Sequence, residues 1–487
     1  MKFLYPDDST ALHTDAYELT MMQTYWKQGI GNRRAVFETF FRKMPFENGY
    51  AVFAGLDHII RYINSLHFTK SDIDYLRTTN QFDDDFLDYL ADFHFTGNIR
   101  SMAEGELVFN HEPIIQVEGT LLETQLVETA ILNVINYQIM VATKAARIKS
   151  IVGDQTVMEF GTRRAQEFDA ALWGTRAAYI GGFDATSNVR AGKLYGIPSS
   201  GTHAHALVQT YRNDYDAFRA YAQTHHDCVF LVDTYDTLRS GVPNAIRVAH
   251  EMGDKINFIG VRIDSGDMAY LSKKVRQMLD NAGFPNAKII ASNDLDEKTI
   301  SNLKMQGAKI DTWGVGTKLI TAYDQPTLGA VYKMVSVEDD NGQMVDTIKL
   351  SNNVSKMSTP GKHQVWRITD CKDDKSEGDY VTLVDEDPRK QDSLFMFDPN
   401  YTFLNKTVTD FKARPLLQDI FINGKQVYDE PSLEEIRSAR QRHLDKLWDE
   451  YKRDLNPEVY PVDLSQKCYD NKMKMIKQIH DKIRKMR

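Results

Sequence analysis

Between Glu159 and Gln209 the chain crowds two adjacent arginines, two glycine-rich turns, a serine–asparagine pair and an alternating His-x-His into one stretch. Core packing alone does not call for that density, and the residue types suit a binding site for a phosphorylated, anionic substrate. Arg163 and Arg164 follow a strand-like run, and Arg262 stands in a second one, VRIDSGD. Guanidinium forks hold carboxylate or phosphate at two points; the plainer use of each is a surface ion pair. WGVGTKL places Gly314 and Gly316 between a strand and a helix, where bare backbone amides cradle phosphate and Thr317 adds a hydroxyl, unless the glycines only mark a turn. GGFDATSN, ending near Ser187, offers a second close backbone approach. Asp233 and Asp264 each end an apolar run. Carboxylates there hold magnesium, bind ribose hydroxyls or offset a developing cation; otherwise they cap helices. His203 and His205 share one face of an extended segment, a metal-ligand spacing. A metal needs further ligands, and His225-His226 lie at the wrong end of a strand for that. One imidazole acting as nucleophile or acid–base, or both being structural, are the other readings.

These residues need elements that bring them together. Short apolar runs recur, each ending in polar residues and followed by a helical stretch: TVMEFGTRR, GIPSSGTHAH, CVFLVDTYD, INFIGVRIDSGD, KIIASNDLD and KIDTWGVGT. From Asp233 to Asp264 to Asp294 the spacing is about thirty residues, one strand–helix–strand unit. A parallel sheet of such units puts Arg163, His205, Asp233, Asp264, Asn293 and Gly316 on one rim. The fold class is therefore α/β, with an irregular α/β barrel over 146–330, although an open sheet has the same strand ends.

The flanks read differently. A helix is predicted over 13–28, capped by Asp15 with Glu18 as its capping-box partner. Tyr17 falls in its first turn, as a core aromatic beside Leu19 and Met22 or as a ring near a cleft. A strand over 33–43, helices over 50–64 and 72–92, a small antiparallel sheet over 99–122 and a helix over 123–149 complete an α+β domain, 1–145. Beyond Leu328 β-type runs return, with a hairpin around Asn341-Gly342 suited to a type I′ turn. Residues 331–487 are expected to pack on the N-terminal domain and make it discontinuous. Ser432 to Glu435 is a capping box, and the basic C-terminal helix has Met475, Ile479 and Ile483 on one stripe. That stripe suits packing along a solvated helix better than a membrane surface.

Composition narrows the class. The 487 residues are 42% hydrophobic and 26% charged, as in soluble globular proteins, and exceed one comfortable core. A net charge of −9 argues against a general nucleic-acid binder. Cys228, Cys371 and Cys468 have no CxxC spacing, which suits a reducing compartment. With neither an apolar leader nor a membrane-length apolar run, a cytoplasmic protein is expected.

Taken in order, TDAYELTM, FETFFRKMP, EFGTRRAQ, GTHAHA, LVDTYDT, GVRIDSGD and WGVGT closely resemble the motifs of the nicotinate phosphoribosyltransferases, within the type II phosphoribosyltransferases. The likeness runs to about residue 335. It implies transfer of phosphoribose from phosphoribosyl pyrophosphate to nicotinate, giving nicotinate mononucleotide and pyrophosphate in NAD salvage. It also implies magnesium, ATP hydrolysis coupled through a phosphohistidine, and a homodimer with shared sites. The family's GTxAH motif makes His205 the phosphate acceptor, with His203 in the variable position. By the same carry-over, Phe160 stacks on the pyridine ring, and Tyr17 of a second subunit stacks on its other side. Arg262 and Thr202 neighbour the carboxylate, and Arg163 lies near the carboxylate or phosphate. Gly314, Gly316 and Thr317 cradle the 5′-phosphate, while Asp233 and Asp264 take the ribose and magnesium side. Ser187 aligns with an aspartate that favours the amide in the nicotinamide enzymes. A nicotinamide-specific enzyme, a barrel metallohydrolase using His203 and His205, and a binder without turnover are the competing readings.

Overall fold

Six short parallel strands carry the middle of the chain. The computed structural model describes residues 9–351 and 357–486. These strands lie side by side in the order Ala185–Thr186, Thr156–Glu159, Thr312–Val315, Lys288–Asn293, Asn257–Ile263 and Asp227–Leu231. Every pairing is parallel. Val157, Phe230, Leu231, Ile263, Ile289 and Val315 are buried, as a sheet covered on both faces requires. The α/β expectation is met, in the form of an open half-barrel. The two end strands do not pair, because the chain between them folds as helices Val189–Tyr195, His205–Tyr211 and Asp214–Thr224 with one isolated bridge, Thr186 to Ser199. These elements belong to a compact unit of Val141–Pro326. Within it, Lys144 and Arg147 meet Glu297 at 2.9 and 3.1 Å, and Lys144 reaches Asp324 at 2.8 Å. Removing one member of such a buried group strands the others, a loss of about 3–5 kcal/mol.

The second unit joins Met1–Met140 to Thr327–Arg487. Its seven-stranded sheet draws on both ends of the chain: Arg34–Phe41 pairs antiparallel with Ile115–Thr120 on one side and Ala330–Glu338 on the other. Asn98–Ser101 likewise takes Gln418–Ile422 as a neighbour. A four-stranded sheet follows, ordered Phe411–Pro415, His363–Asp370, Ser376–Leu383 and Val462–Leu464. Trp366, Ile368, Leu394 and Met396 are buried together against it.

Several local expectations change. Asp15 does precede the first helix, Ala16–Lys27, but no capping box forms there, because the buried Glu18 carboxylate accepts from the Gln125 amide instead. The helix expected over 72–92 is two, Lys70–Thr78 and Asp84–Ala91, broken where Asn80 turns to φ 52°. The Asn341-Gly342 turn is not type I′: Gly342 has φ 76°, Asn341 has no positive φ, and Asp339 Oδ1 instead takes the amides of Asn341 and Gln343 at 2.8 and 2.9 Å. Ser432 and Glu435 do form their capping box. The C-terminal helix Gln466–Lys485 buries Cys468, while Ile483 at the far end of the stripe is exposed. Among the described residues one helical stretch, Leu121–Val152, has the length and apolarity to cross a membrane, yet 67% of its apolar window is buried inside the protein.

Candidate functional site

Because the six strands are parallel, their carboxyl ends open on one rim, and the polar residues that follow them meet there. The backbone N–H of Asp264 donates to Asp233 Oδ2 at 2.9 Å, and the Ser265 hydroxyl donates to the same oxygen at 2.6 Å. Asp264 Oδ1 accepts from the Ser292 hydroxyl at 2.5 Å. Three adjacent strand ends are thus linked through two carboxylates. Neither aspartate serves as the helix cap weighed for it; Asp267 caps the following helix, Met268–Asn281. Asp233 Oδ1 is buried without a hydrogen-bond partner among the described residues.

Arg262 lies two residues before Asp264, on the same face of its strand. Its Nη1 donates to Thr202 Oγ1 at 2.5 Å and its Nη2 to the His203 carbonyl at 3.2 Å. Nε is buried and donates to nothing among the described residues. Burial lowers the proton affinity of Arg262 below the ordinary guanidinium value; Asp264 and Asp233 oppose this, and Arg163 adds to it. Arg163 is exposed on the turn Thr162–Arg164, with no ion pair among the described residues. The structure therefore brings Arg163, Thr202, Asp233, Arg262 and Asp264 together.

The two histidines part company. His203 is buried, its ring 5.1 Å from Tyr221 and 5.8 Å from Phe218. Its Nε2 accepts from the Leu231 N–H at 3.2 Å. Burial holds its pKa down at about 4, so the ring is neutral and its outer nitrogen is occupied. His205 opens the next helix, half-exposed, with Nδ1 3.0 Å from the Thr234 hydroxyl and Nε2 3.8 Å from Asp264 Oδ2. The His-x-His metal pairing is not formed: an imidazole that accepts a backbone N–H has no lone pair left for zinc. No group of three or more His, Cys, Asp or Glu suited to a metal occurs among the described residues.

Phe160 follows the strand Thr156–Glu159, and its ring lies over Gly314. A Cβ on Gly314 would fall 2.5 Å from the ring carbons. The bare Gly314 thus makes room for an aromatic platform. Gly316 and Thr317 begin the short helix Thr317–Ile320, and Gly316 runs close to the Phe160 carbonyl. Ser187 is exposed after the strand Ala185–Thr186, its backbone N–H donating to the Glu159 carbonyl at 2.9 Å. Tyr17 belongs to the other unit, where it is 48% exposed beside Glu18 and Glu128.

Four supporting residues escaped the motif reading. Glu159 is buried and accepts from Thr186 Oγ1 at 2.6 Å, Thr175 Oγ1 at 3.0 Å and the Gly161 N–H, fixing the turn that carries Phe160 and Arg163. Burial pushes its proton affinity up against those three donors. Thr234, Ser265 and Ser292 orient His205, Asp233 and Asp264. Their signal was present: each is a small hydroxyl residue at the end of an apolar run, the position a parallel sheet turns toward its rim.

A parallel α/β sheet with a half-buried arginine, linked aspartates and an accessible histidine at its carboxyl ends suits an enzyme that handles an anionic substrate. Family models give the class its particulars: nicotinate phosphoribosyltransferase N-terminal domain over 12–136, the nicotinate phosphoribosyltransferase (NAPRTase) family over 155–375, and its C-terminal domain over 362–472. The chain is 59% identical to a nicotinate phosphoribosyltransferase of Bacillus subtilis, over 99% of this chain and 98% of that one. It is 35% identical to a Dictyostelium discoideum protein of the same name, over 95% and 87%. The crystal structure of human nicotinic acid phosphoribosyltransferase superposes with a TM-score of 0.83 at 29% identity, covering 94% of this chain and 98% of that one. The chain belongs to the nicotinate phosphoribosyltransferase family.

Proposed function

We propose that this enzyme transfers phosphoribose from phosphoribosyl pyrophosphate to nicotinate, forming nicotinate mononucleotide and pyrophosphate. ATP hydrolysis drives the transfer through transient phosphorylation of His205. The working form is a cytoplasmic homodimer in which Tyr17 of the partner subunit closes the ring pocket. The observation that carries this reading is the Arg262–Thr202 pair beside Asp233, Asp264 and His205 on one strand-end rim.

Nicotinate enters with its ring on Phe160 and its carboxylate toward Arg262 and Thr202. A guanidinium with an unengaged Nε and a neighbouring hydroxyl suits a planar anion. The pyridine nitrogen attacks ribose C1′ while the bond from C1′ to the pyrophosphate oxygen breaks. That nitrogen carries no proton at neutral pH, so the reaction needs no general base. Positive charge builds on C1′, and Asp233 and Asp264 offset it. Gly316 and Thr317 hold the 5′-phosphate. The unpartnered Asp233 Oδ1 and the outer oxygen of Asp264 are hard donors that fit magnesium. When bound, magnesium neutralises the pyrophosphate leaving group. In the ATP step the γ-phosphoryl passes to the His205 imidazole as its bond to ADP breaks. Thr234 fixes the ring and leaves Nε2 open.

The test is turnover with nicotinate, phosphoribosyl pyrophosphate and magnesium, with and without ATP, beside His205→Ala. Product formation whose ATP stimulation disappears in the variant is expected. No nicotinate mononucleotide from the unmutated enzyme would overturn the assignment. Ser187→Asp should shift preference from the acid toward the amide, and an unchanged ratio would remove Ser187 from substrate choice.

A further inference from the structure

The unit that joins the two ends of the chain holds a cavity of about 680 Å³. One wall is the C-terminal helix Gln466–Lys485, whose Tyr469, Lys472 and Ile476 face into the space. Phe40, His111 and Tyr401 also line it. Ligand-binding cavities commonly span about 300–1,000 Å³, with mostly apolar walls and a few placed polar groups. Here they include the basic groups of Lys472, His111 and His363 together with the carboxylates Glu38 and Asp398.

We propose that this cavity is a second anion-binding site, taking a phosphate-bearing ring compound of nucleotide size between Lys472 and His111. The Lys472 ammonium makes no hydrogen bond or salt bridge among the described residues, although the residue is half-buried. Burial lowers its proton affinity, with only the Cys468 thiol opposing, as expected of a cation whose counter-ion must come from outside. His111 is held at φ 71°, in the left-handed region that histidine adopts more readily than most side chains. Burial, then Lys472 and Arg42, depress its proton affinity while Asp398 opposes them, so Lys472 and Arg42 each lie within electrostatic reach of His111. Arg42 has a buried Nε with no partner among the described residues. The carboxylates lining the cavity are already engaged. Glu38 meets the His363 ring at 2.8 Å, and Asp398 Oδ1 accepts from the N–H groups of Asn400 and Tyr401 at 2.7 and 2.9 Å. Phe40, Val335, Tyr401, Tyr469 and Ile476 supply the apolar surface a ring needs.

The site does not depend on the transfer reaction. Its test is calorimetric titration of the full-length enzyme with AMP and with adenosine. Four proteins are compared: the unmutated enzyme, Lys472→Met, Lys472→Arg and the reaction-site variant Arg262→Ala. AMP is expected to bind, with adenosine weaker by about tenfold or more, the usual weight of a charge-assisted contact. Lys472→Met should lose about that factor for AMP while turnover stays unchanged, Lys472→Arg should recover most of it, and Arg262→Ala should leave it intact. Any of four results overturns the proposal: no AMP binding, adenosine binding as tightly as AMP, AMP affinity unchanged in Lys472→Met, or AMP binding lost in Arg262→Ala.

Discussion

Removing the Arg262 guanidinium takes the donor from Thr202 Oγ1 and the His203 carbonyl at once, and under the proposed function it also leaves the nicotinate carboxylate without its planar partner. Arg262→Ala is expected to raise KM for nicotinate by about 10–100-fold, the value of one or two charge-assisted contacts, with kcat falling less. Arg262→Lys keeps the charge without the fork and should fall between. Steady-state kinetics with nicotinate as the varied substrate separates the three. His203 supports the same loop differently. Its pKa is depressed from 6.5 to about 4, so it contributes stability that is full above 6.5 and is lost as pH falls toward about 4. Glu128 and Asp463, raised by burial to about 7 and about 6, act in the opposite sense over the same range. The difference between the parent and His203→Gln isolates the imidazole: between pH 6.5 and 4 the parent should lose up to about 3 kcal/mol relative to the variant in denaturant unfolding.

The strand ends act as a connected row. The Ser292 hydroxyl donates to Asp264, so Ser292→Ala should lower kcat/KM about tenfold while leaving the melting temperature within a few degrees. Gly314→Ala is more severe, because its Cβ would enter the Phe160 ring. Overpacking of that kind costs about 1–3 kcal/mol, and the displaced ring should weaken nicotinate binding more than phosphoribosyl pyrophosphate binding, as read by the two KM values. Much of this row was legible from sequence. Asp233, Asp264 and Arg262 announce themselves because polar residues that end apolar runs have few structural uses. The separation of His203 from His205 was not legible from spacing. It depends on the Leu231 N–H, which projects toward His203 from a strand begun some twenty residues later in the chain. Glu18 was misread for a similar reason: a distant glutamine outbid the local backbone for its carboxylate.

Across the whole molecule, the repeating strand–helix rhythm made the α/β middle readable, since each unit is local. The open edge of the half-barrel was not, because the helical chain after Thr186 and the apolar strands before it look alike at the level of composition. The two-ended sheet was only suggested by the return of β-type runs beyond Leu328. Its pairing partners are hundreds of residues apart, and no periodicity encodes a distance of that kind.

That arrangement sets a timetable during synthesis. Once Ile115–Thr120 has left the ribosome, Arg34–Phe41 can pair on one side, but its other neighbour, Ala330–Glu338, has not yet been made. Asn98–Ser101 waits longer still, for Gln418–Ile422. The segment 141–326 can fold in the interval, while two strands of the first-made unit stand with bare hydrogen-bonding edges. A fragment ending at residue 326 should accordingly sediment as aggregate where the full chain stays in the supernatant, and newborn chains of this enzyme should be clients of whatever chaperone shields exposed β-edges.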